Sequence, residues 1–388
     1  MMIEPKLRFK ADDGSDFPDW EEQKIEDVCV LNPRTEQLDD EFYYMDLGSI
    51  DHGRWEAPEI VNKVDAPSRA QRVAAIDDVF FQSVRPYNMG HYHYVAAKDK
   101  QVVASTGYIQ ARMRNGSNAF LYQLFYEERF NAEVNARCTG SNYPAINSRK
   151  FGEITVALPS LPEQRKIADL LSAVDDVIAA QEAEVAAWEK RKKGVMQKLF
   201  SQEVRFKADD GSDFPDWEEK TLGDICVYER QRSEGANFVG TENMLKDFGG
   251  VTFDNSNADG SGTLYHLGDT LMSNIRPYLK KAWLADRKGT CSTDVLVFHP
   301  TSVEPGYLYW LIASDAFVRY VMSAAKGSKM PRGDKKHIME MPLLLPNKDE
   351  QRKIDDCLSS LNDVIIKAKN ELAKWQELKK GLLQQMFV

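Results

Sequence analysis

Basic side chains gather at matching places in the two halves of this sequence. In the second half, positive charges outnumber negative ones by four over 276–288 and again over 326–337. In the first half, the stretch from Arg137 to Lys150 contains no acid. Guanidinium and ammonium groups set among tyrosines suit contacts to phosphates and to the edges of bases. A solvated surface without a ligand explains any one cluster equally well, but recurrence in both halves favours binding.

Two glycine-serine pairs, Gly140-Ser141 and Gly327-Ser328, also stand at corresponding points. A glycine allows backbone N–H groups to approach a phosphate closely, and the serine hydroxyl is a second donor. A simple turn is an equally good interpretation. Together with the basic clusters, these pairs give the candidate binding residues Arg85, Tyr87, Gly140, Ser141, Asn142, Arg149, Lys150, Arg276, Tyr278, Lys280, Lys281, Lys326, Ser328, Lys329, Arg332, Lys335 and Lys336.

Signatures of catalysis are missing from the sequence. It has no GxxxxGK[ST] phosphate loop, no HExxH, no GxSxG elbow and no Asn/Asp-Pro-Pro-aromatic motif for holding a flipped base. Asp216, Glu218 and Lys220 imitate the letters of a nuclease motif, but the two acids are too close together for its metal site. His91 and His93 lack an evident third ligand. We therefore predict no catalytic residues, no metal site and no cofactor in this chain.

The overall charge is −10 with an isoelectric point near 5.3, which at first argues against a polyanionic partner. Most of this charge comes from two identical acidic stretches, so local basic surfaces remain compatible with phosphate binding. No apolar run approaches the length of a membrane span, and the beginning of the sequence does not look like a secretion signal. The five cysteines are scattered, without a CxxC pair. We expect a cytoplasmic protein with reduced thiols.

The sequence is duplicated. The stretch RFKADDGSDFPDWEE, from Arg8 to Glu22, recurs unchanged from Arg205 to Glu219, and looser matches continue to the end of each half. Two copies of about 190 residues indicate a duplicated domain and not a solenoid, whose shorter units recur at least three times. We predict globular domains at 1–158 and 203–345 and spacer helices at 159–202 and 346–388.

The globular parts are predicted to be α/β. Strands are favoured at 41–47, 79–84, 101–110 and 154–158, which are rich in β-branched or aromatic residues. Helical spacing appears at 119–137 and again at 305–323. The predicted fold is therefore two similar α/β domains separated by a long antiparallel helical coiled coil, with an internal pseudo-two-fold repeat.

The coiled-coil prediction comes from a heptad seam that ends each half. A lysine occupies the seam near both helix ends, Lys192 and Lys379, and a parallel pair would place these like charges side by side. The antiparallel arrangement separates them. The predicted packing residues are Ile167, Leu171, Val174, Ile178, Val185, Trp188, Val195 and Leu199 in the first helix, and Ile354, Leu358, Leu361, Ile365, Leu372, Trp375, Leu382 and Met386 in the second.

These features resemble the specificity subunit of type I restriction-modification systems over essentially the whole chain. The resemblance rests on the junctions LPSLPEQRKIADLLSAVDDVI and LLLPNKDEQRKIDDCLSSLNDVI, each followed by a heptad helix, and on the two Arg-Pro-Tyr segments. It implies a non-catalytic reader of double-stranded DNA with two target-recognition domains, one for each half of an asymmetric bipartite sequence. It also implies helices that space the domains and dock two methyltransferase subunits, with restriction/translocase subunits joining that core. S-adenosylmethionine, Mg²⁺ and ATP would then belong to those partners.

The copies diverge most between the shared anchors, at 30–80 and 227–270 and at 88–103 and 279–290. If each domain reads its own half-site, sequence preference is expected in these stretches. The alternative function is a coiled-coil scaffold with two protein-binding domains, which explains the duplication and the heptads but not the matching basic clusters. A standalone nuclease or methyltransferase would need a metal or cofactor motif that we do not find.

Overall fold

A computed structural model describes residues 5–34, 37–51, 53–55, 57–253 and 260–387. The chain forms two compact units, unit 1 (Met1–Ala183 with Lys369–Val388) and unit 2 (Glu184–Ala368). Both unit boundaries fall inside long helices, so each unit combines one globular part with the beginning of one helix and the end of the other. The predicted boundaries at 158/159 and 345/346 divide globular parts from helices instead, and they stay a prediction.

Unit 1 contains ten strands in its described residues. They are β1 (Glu21–Lys24), β2 (Cys29–Leu31), β3 (Glu41–Met45), β4 (Glu59–Asn62), β5 (Ala70–Val73), β6 (Val79–Gln82), β7 (Tyr92–His93), β8 (Val102–Ser105), β9 (Tyr108–Met113) and β10 (Thr155–Leu158). Its short helices are α1 (Ile25–Val28), α2 (Asn118–Leu124), α3 (Glu128–Arg137) and α4 (Ser148–Gly152), and a 3-10 turn spans Pro86–Asn88.

Unit 2 repeats much of this order. Its strands are β11 (Glu218–Thr221), β12 (Cys226–Tyr228), β13 (Arg232–Gly235), β14 (Gly260–Tyr265), β15 (Thr270–Ser273), β16 (Ala282–Leu284), β17 (Gly289–Cys291), β18 (Val295–Pro300) and β19 (Pro342–Leu345). Its short helices are α6 (Leu222–Ile225), α7 (Pro305–Ile312), α8 (Asp315–Ser323) and α9 (Lys335–Met339), with a 3-10 turn at Pro277–Leu279. Two long helices, αA (Leu161–Phe200) and αB (Lys348–Met386), complete both units.

Two sheets are common to both units. An antiparallel four-stranded sheet has the order β2-β9-β6-β7 in unit 1 and β12-β18-β15-β16 in unit 2, and a two-stranded ribbon pairs β1 with β10 and β11 with β19. The remaining sheet differs: it is β4-β3-β8-β5 with a parallel β3–β8 pair in unit 1, and β13-β14-β17, entirely antiparallel, in unit 2. The shared sheets therefore form a frame, and the differing sheet lies in the stretches where the copies diverge.

In unit 1, helices cover one face of the four-stranded frame sheet, and strands β3 and β8 of the neighbouring sheet cover the other. All four residues of β6 are buried, and Phe81 packs against Phe125 and Phe151. Such a continuous buried run is typical of a strand covered on both faces. The predicted helices at 119–137 and 305–323 are each broken into two, because Glu127 and Ser314 cap the second helix with their side chains.

The long helices pair in an antiparallel manner within each unit. In unit 1, Lys379 Nζ lies 2.6 Å from an Asp175 carboxylate oxygen. Ile167, earlier on αA, shares a hydrophobic core with Leu383, later on αB. In unit 2, Lys192 Nζ donates to Asn362 Oδ1 at 2.9 Å. The predicted α/β class and antiparallel helices are thus confirmed, and every predicted packing residue is buried or half-buried.

The identical acidic stretches fold onto the identical helix junctions. Arg8 forms two hydrogen bonds with the fully buried carboxylate of Glu163, at 3.0 and 2.8 Å, and Arg205 does the same with Glu350 at 3.1 and 2.8 Å. A buried carboxylate is costly unless it is paired, so these arginines tie the beginning of each globular part to the beginning of its helix. Among the described residues, no helix is apolar over a stretch long enough to cross a membrane.

Candidate nucleic-acid interface

Each unit carries a sharp turn shortly after a central strand of its four-stranded sheet, β6 in unit 1 and β15 in unit 2. Arg85 and Arg276 have φ of 52° and 51°, and a 3-10 turn beginning with proline follows each arginine. The residues that end the turns, Met89 and Lys280, are left-handed as well, with φ of 52° and 53°. Non-glycine residues adopt this conformation uncommonly, and such strain persists where surrounding structure enforces it. The two Arg-Pro-Tyr segments therefore form the same exposed turn in both units.

The glycine-serine loops lie beside these turns. The N–H of Arg85 donates to the carbonyl of Pro144 at 2.7 Å, and that of Arg276 donates to Pro331 at 2.7 Å. The loops are closed by paired backbone hydrogen bonds, Thr139 with Ala145 and Lys326 with Arg332. The sequence does not place these segments together, since some fifty residues separate turn from loop in both units.

The glycines are required by the loops. Gly140 and Gly327 have φ of 97° and 100°, and an added Cβ would meet the carbonyl oxygen of Tyr143 at 3.0 Å or of Met330 at 3.2 Å. This explains both glycines as turn residues, which was one of the two interpretations left open by the sequence. The phosphate contact proposed for the adjacent serines stays a prediction.

We call the first combination surface 1, comprising Arg85, Tyr87 and Gly140–Tyr143. Tyr87 and Tyr143 are 56% and 66% exposed. The Arg85 guanidinium lies 4.2 Å from the centre of the Tyr143 ring, a cation–π contact. Surface 1 thus brings the predicted Arg85, Tyr87, Gly140, Ser141 and Asn142 together.

Surface 2 is the counterpart in unit 2, comprising Arg276, Tyr278 and Gly327–Met330. Tyr278 is 48% exposed and Met330, which replaces Tyr143, is 49% exposed. Arg276 is exposed, whereas Arg85 is half-buried under its tyrosine. The predicted Arg276, Tyr278, Ser328 and Lys329 are brought together here. The two surfaces have the same backbone arrangement but present different side chains.

Several other predicted residues of unit 2 are held in ion pairs or hydrogen bonds within the chain. Lys326 contacts Asp334 at 3.0 Å, and this hydrogen bond lowers the pKa of that carboxyl below its ordinary value. Arg332 contacts Asp294 at 3.0 Å, and Lys336 lies 3.6 Å from Glu340. Their side chains remain more than half exposed, so the pairs are weak and leave the bases accessible to phosphate.

Lys280 and Lys281 do not face surface 2 freely. Lys280 pairs with Asp315 at 2.8 Å, and Lys281 donates to the carbonyl of Thr241 at 2.7 Å. Partial burial lowers the pKa of Lys281. Both lysines are half-buried. Their assignment as DNA-binding residues stays a prediction, and the intrachain partners argue against it.

The remaining predicted bases lie on short helices next to the loops. In unit 1, Arg149 is 3.4 Å from Glu153 across one turn of α4, and Lys150 donates to the carbonyl of Arg137 at 3.4 Å. In unit 2, Lys335 is an exposed residue of α9. These helices follow the loops directly along the chain, at the edge of each surface.

Tyr143 is one of the tyrosines noted beside the basic clusters, but it was not included among the predicted binding residues. The signal available was its position two residues after a glycine-serine pair, and the stacking on Arg85 shows its use. The sequence analysis also missed Glu163 and Glu350 as buried partners of the duplicated arginines, although these acids recur in the duplicated junctions.

A second site built from histidine, cysteine or acidic side chains is not found among the described residues. Within the described residues, no three histidine, cysteine or acidic side chains are grouped as metal ligands. His91 is buried against Phe81, and burial lowers its pKa to about 3, so it is a neutral core residue. Cys29, Cys226 and Cys291 are buried, and burial raises the pKa of each thiol to about 12. Such thiols are inert.

The structure describes most residues of the two longer divergent stretches, 30–80 and 227–270. Strands β3, β4 and β5 lie within 30–80, and strands β13 and β14 lie within 227–270. Residues 35, 36, 52, 56 and 254–259, which belong to these stretches, lie outside the described residues. The prediction that sequence preference resides in these stretches is not tested by the fold.

Comparisons with known proteins converge on one family. A model of the type I restriction modification DNA specificity domain matches residues 18–187 and again 215–375. The specificity subunit of the type I restriction enzyme MjaVIII of Methanocaldococcus jannaschii is 22% identical over 322 residues, or 74% of each chain. That of EcoDI from Escherichia coli is 23% identical over 324 residues, or 69% of each chain.

Solved structures share the fold. The S subunit of a type I restriction-modification system from M. genitalium superposes with a TM-score of 0.59 at 15% identity, covering 100% of this chain and 99% of the other. A chain from a structure on complex assembly and conformational transition of the type I R-M system has a TM-score of 0.57 at 21% identity, covering 95% and 98%.

Proposed function

This chain belongs to the family of type I restriction-modification DNA specificity proteins, and from that premise we propose that surfaces 1 and 2 read the two halves of one bipartite, asymmetric DNA target. The observation that carries the proposal is the repetition of one turn-and-loop surface, once in each unit, with different side chains on it. A common backbone frame places each surface in the same way on its half-site, and the different side chains make the half-sites different.

The chemistry of the surfaces supports DNA as the ligand. Each surface combines an arginine and a tyrosine with a loop of exposed small polar residues and backbone N–H groups. Arginine is well suited to bidentate contacts with guanine in the major groove, and serine and backbone N–H groups donate to phosphates. The adjoining bases Lys329, Lys335 and Arg149 would add attraction to the backbone of the duplex.

The long helices supply the second part of the proposal, a fixed interval between half-sites. αA has 40 residues and αB has 39, and each contributes to both units. At 1.5 Å per residue, each helix is about 60 Å long. A stiff helical pair would set the spacing mechanically, as dimer geometry does for two-fold DNA-binding proteins.

Two modification subunits are proposed to dock on these helices. αB carries outward-facing apolar residues, with Ile366 49% exposed in unit 2 and Leu378 46% exposed in unit 1. Exposed apolar side chains on a helix suit packing against a partner's helices. S-adenosylmethionine is proposed to bind to these partners, and Mg²⁺ and ATP to the restriction subunits that join them. This chain contributes recognition and not catalysis.

Sequencing of methylated adenines in a host that carries the gene tests the proposal directly. The expected result is one bipartite motif with two different half-sites and a constant gap, which disappears when the gene is deleted. A single continuous motif would contradict the fixed spacing that we assign to the long helices. Unchanged methylation after deletion would contradict DNA recognition by this chain.

The acidic chain by itself is expected to bind DNA weakly, since the net charge is −10 and phosphate contacts dominate affinity. A gel shift should give much tighter binding with the modification subunits than without them. Equal affinity would overturn this expectation. Co-purification with products of neighbouring genes separates the alternatives, because a protein-binding scaffold should retain partners unrelated to methyltransferases.

A further inference from the structure

A carboxylate in unit 2 connects surface 2 to the long helix αA. Asp315, the first residue of α8, contacts Lys193 Nζ of αA at 2.7 Å and Lys280 Nζ at 2.8 Å. The Asp315 side chain is 24% exposed, Lys280 is 32% exposed and Lys193 is 61% exposed. One acid therefore holds two cations, and its pair with Lys280 is the more shielded from water and the stronger of the two.

Lys280 is rigidly attached to the turn of surface 2. It ends the 3-10 turn Pro277–Leu279 in a left-handed conformation, and its N–H donates to the carbonyl of Pro277 at 2.9 Å. Its own carbonyl accepts from the N–H of Phe248 at 2.6 Å. The position of the Lys280 side chain is therefore coupled to the position of the backbone that carries Arg276 and Tyr278.

The three charged residues lie along a groove in unit 2. This groove has a volume of about 1100 Å³, and its lining includes Met196 and Trp310 as well as Lys193, Lys280 and Asp315. The groove reaches Lys280 at the end of the turn, and the turn itself contacts α8. The ion pairs of Asp315 therefore join the turn, α8 and αA beside this groove.

Unit 1 contains only part of this arrangement. Glu128 of unit 1 corresponds in the duplicated sequence to Asp315 of unit 2, and its carboxylate lies 3.3 Å from Lys380 Nζ. The Glu128 and Lys380 side chains, however, are 61% and 65% exposed. Met89 replaces Lys280 at the end of the turn. Surface 1 instead has the Arg85–Tyr143 contact, which surface 2 lacks.

We propose that Asp315 is a positioning residue that fastens surface 2 to αA through Lys280 and Lys193, and that Lys280 therefore serves the fold of the turn and not a DNA phosphate. The inference deepens the proposed function, on which its DNA-binding readout rests. Without the carboxylate, two ammonium groups would face each other across the groove and release the turn.

The first test measures the turn without DNA. Hydrogen exchange of the full chain with its modification subunits should become at least about tenfold faster over 276–281 and 247–249 in Asp315→Asn. The matched variant Glu128→Gln should leave the turn at 85–89 unchanged. Unaltered exchange in Asp315→Asn would overturn the positioning role, whether or not the complex recognises DNA.

The second test uses a duplex containing the methylated sequence, with binding measured over a range of salt concentrations. Asp315→Asn and Lys280→Met should each weaken specific binding about tenfold with the same salt slope as the wild type, since no phosphate contact is lost. The double variant should bind no worse than Asp315→Asn, because removing the lysine relieves the repulsion.

A phosphate contact by Lys280 predicts different results. Lys280→Met would then reduce the salt slope by about 0.9, and Asp315→Asn would leave affinity equal or higher. Lys329→Met, on the exposed loop, provides the control that should reduce the slope. If the wild-type complex failed to prefer its methylated sequence, the proposed function would fail, while the exchange result would still decide the role of Asp315.

Discussion

The two units share one frame and differ in the sheet that stands beside it. In both, the first antiparallel sheet and the two-stranded ribbon have the same strand order, and the turn and loop have the same backbone conformations. The neighbouring sheet has a parallel pair in unit 1 and only antiparallel pairs in unit 2. Duplication has therefore preserved the parts that position a surface and allowed change in the parts next to it.

The side chains that support the frame also differ in detail. Trp217 Nε1 donates to Glu350 at 2.9 Å, whereas the corresponding Trp20 Nε1 has no hydrogen-bond partner in the described part of the chain. Arg112 pairs with the buried Asp78 in unit 1, and His299 pairs with the buried Asp269 in unit 2. The same buried acids are thus retained while their partners change.

The largest expected effect comes from making the two units alike. A chimera in which residues 218–345 replace residues 21–158 should direct its modification subunits to methylate a target with two identical, oppositely oriented half-sites. It should lose the wild-type target, since specific binding exceeds non-specific binding by about 10³-fold or more. Adenine methylation sequencing checks this outcome. Retention of the wild-type target by the chimera would show that the globular parts do not determine recognition.

Breaking the arginine–carboxylate pair should have the next largest effect, and a larger one in unit 1. Arg8→Met leaves the buried Glu163 without its arginine and should lower the free energy of local opening by about 3 to 5 kcal/mol. Arg205→Met should cost about 1.5 kcal/mol less, because Glu350 keeps the Trp217 hydrogen bond. Hydrogen exchange resolves the two units, and Lys10→Met is the exposed control. Equal losses of opening free energy in Arg8→Met and Arg205→Met would contradict the predicted difference between the units.

The stability of unit 2 should depend on pH through the ionisation of Asp315. Its hydrogen bonds to Lys193 and Lys280 lower its pKa from 3.8 to about 2 in the folded protein. This stabilisation, about 2 kcal/mol, is complete above the unfolded pKa and is lost as the pH falls toward 2. The difference in unfolding free energy between wild type and Asp315→Asn should therefore be constant from pH 7 to 5 and shrink below pH 4. A difference independent of pH down to 3 would contradict this.

The smallest predicted effect is common to both units. Gly140→Ala and Gly327→Ala each place a Cβ on a backbone with φ near +100°, with a carbonyl oxygen 3.0 or 3.2 Å away. Each should destabilise its loop by about 1.5 kcal/mol. Thermal unfolding and DNA binding should show similar losses for the two variants. A loss confined to one of them would mean that the loops are not equivalent.

Local pattern was sufficient for much of the architecture. The heptads from Ile167 and Ile354 predicted the long helices, since a seam with a spacing of four and three residues can be buried only by another helix. The antiparallel direction followed from Lys192 and Lys379, which now each face a polar partner across the helix pair. Strands such as β6 and β10 were predicted because their β-branched and aromatic runs are bounded by turn residues.

The helix at 119–137 was predicted as one segment and is two, because a capping carboxylate at Glu127 outweighs continuous helical spacing. The run at 101–110 became parts of two strands, β8 and β9, because a turn at Thr106-Gly107 separates them. Caps and turns of this kind depend on one or two side chains, which a periodic pattern does not register.

By itself, the sequence determined that this protein is a duplicated α/β reader built on paired helices, because repeats, heptads and junction motifs are local along the chain. Only the tertiary structure decided which candidates meet. It placed Arg85 on Tyr143 and paired Lys280 with Asp315, and it joined each turn to a loop some fifty residues later. The physical reason is that charge and side-chain type indicate what a residue can bind, whereas its actual partner depends on backbone hydrogen bonds between distant segments.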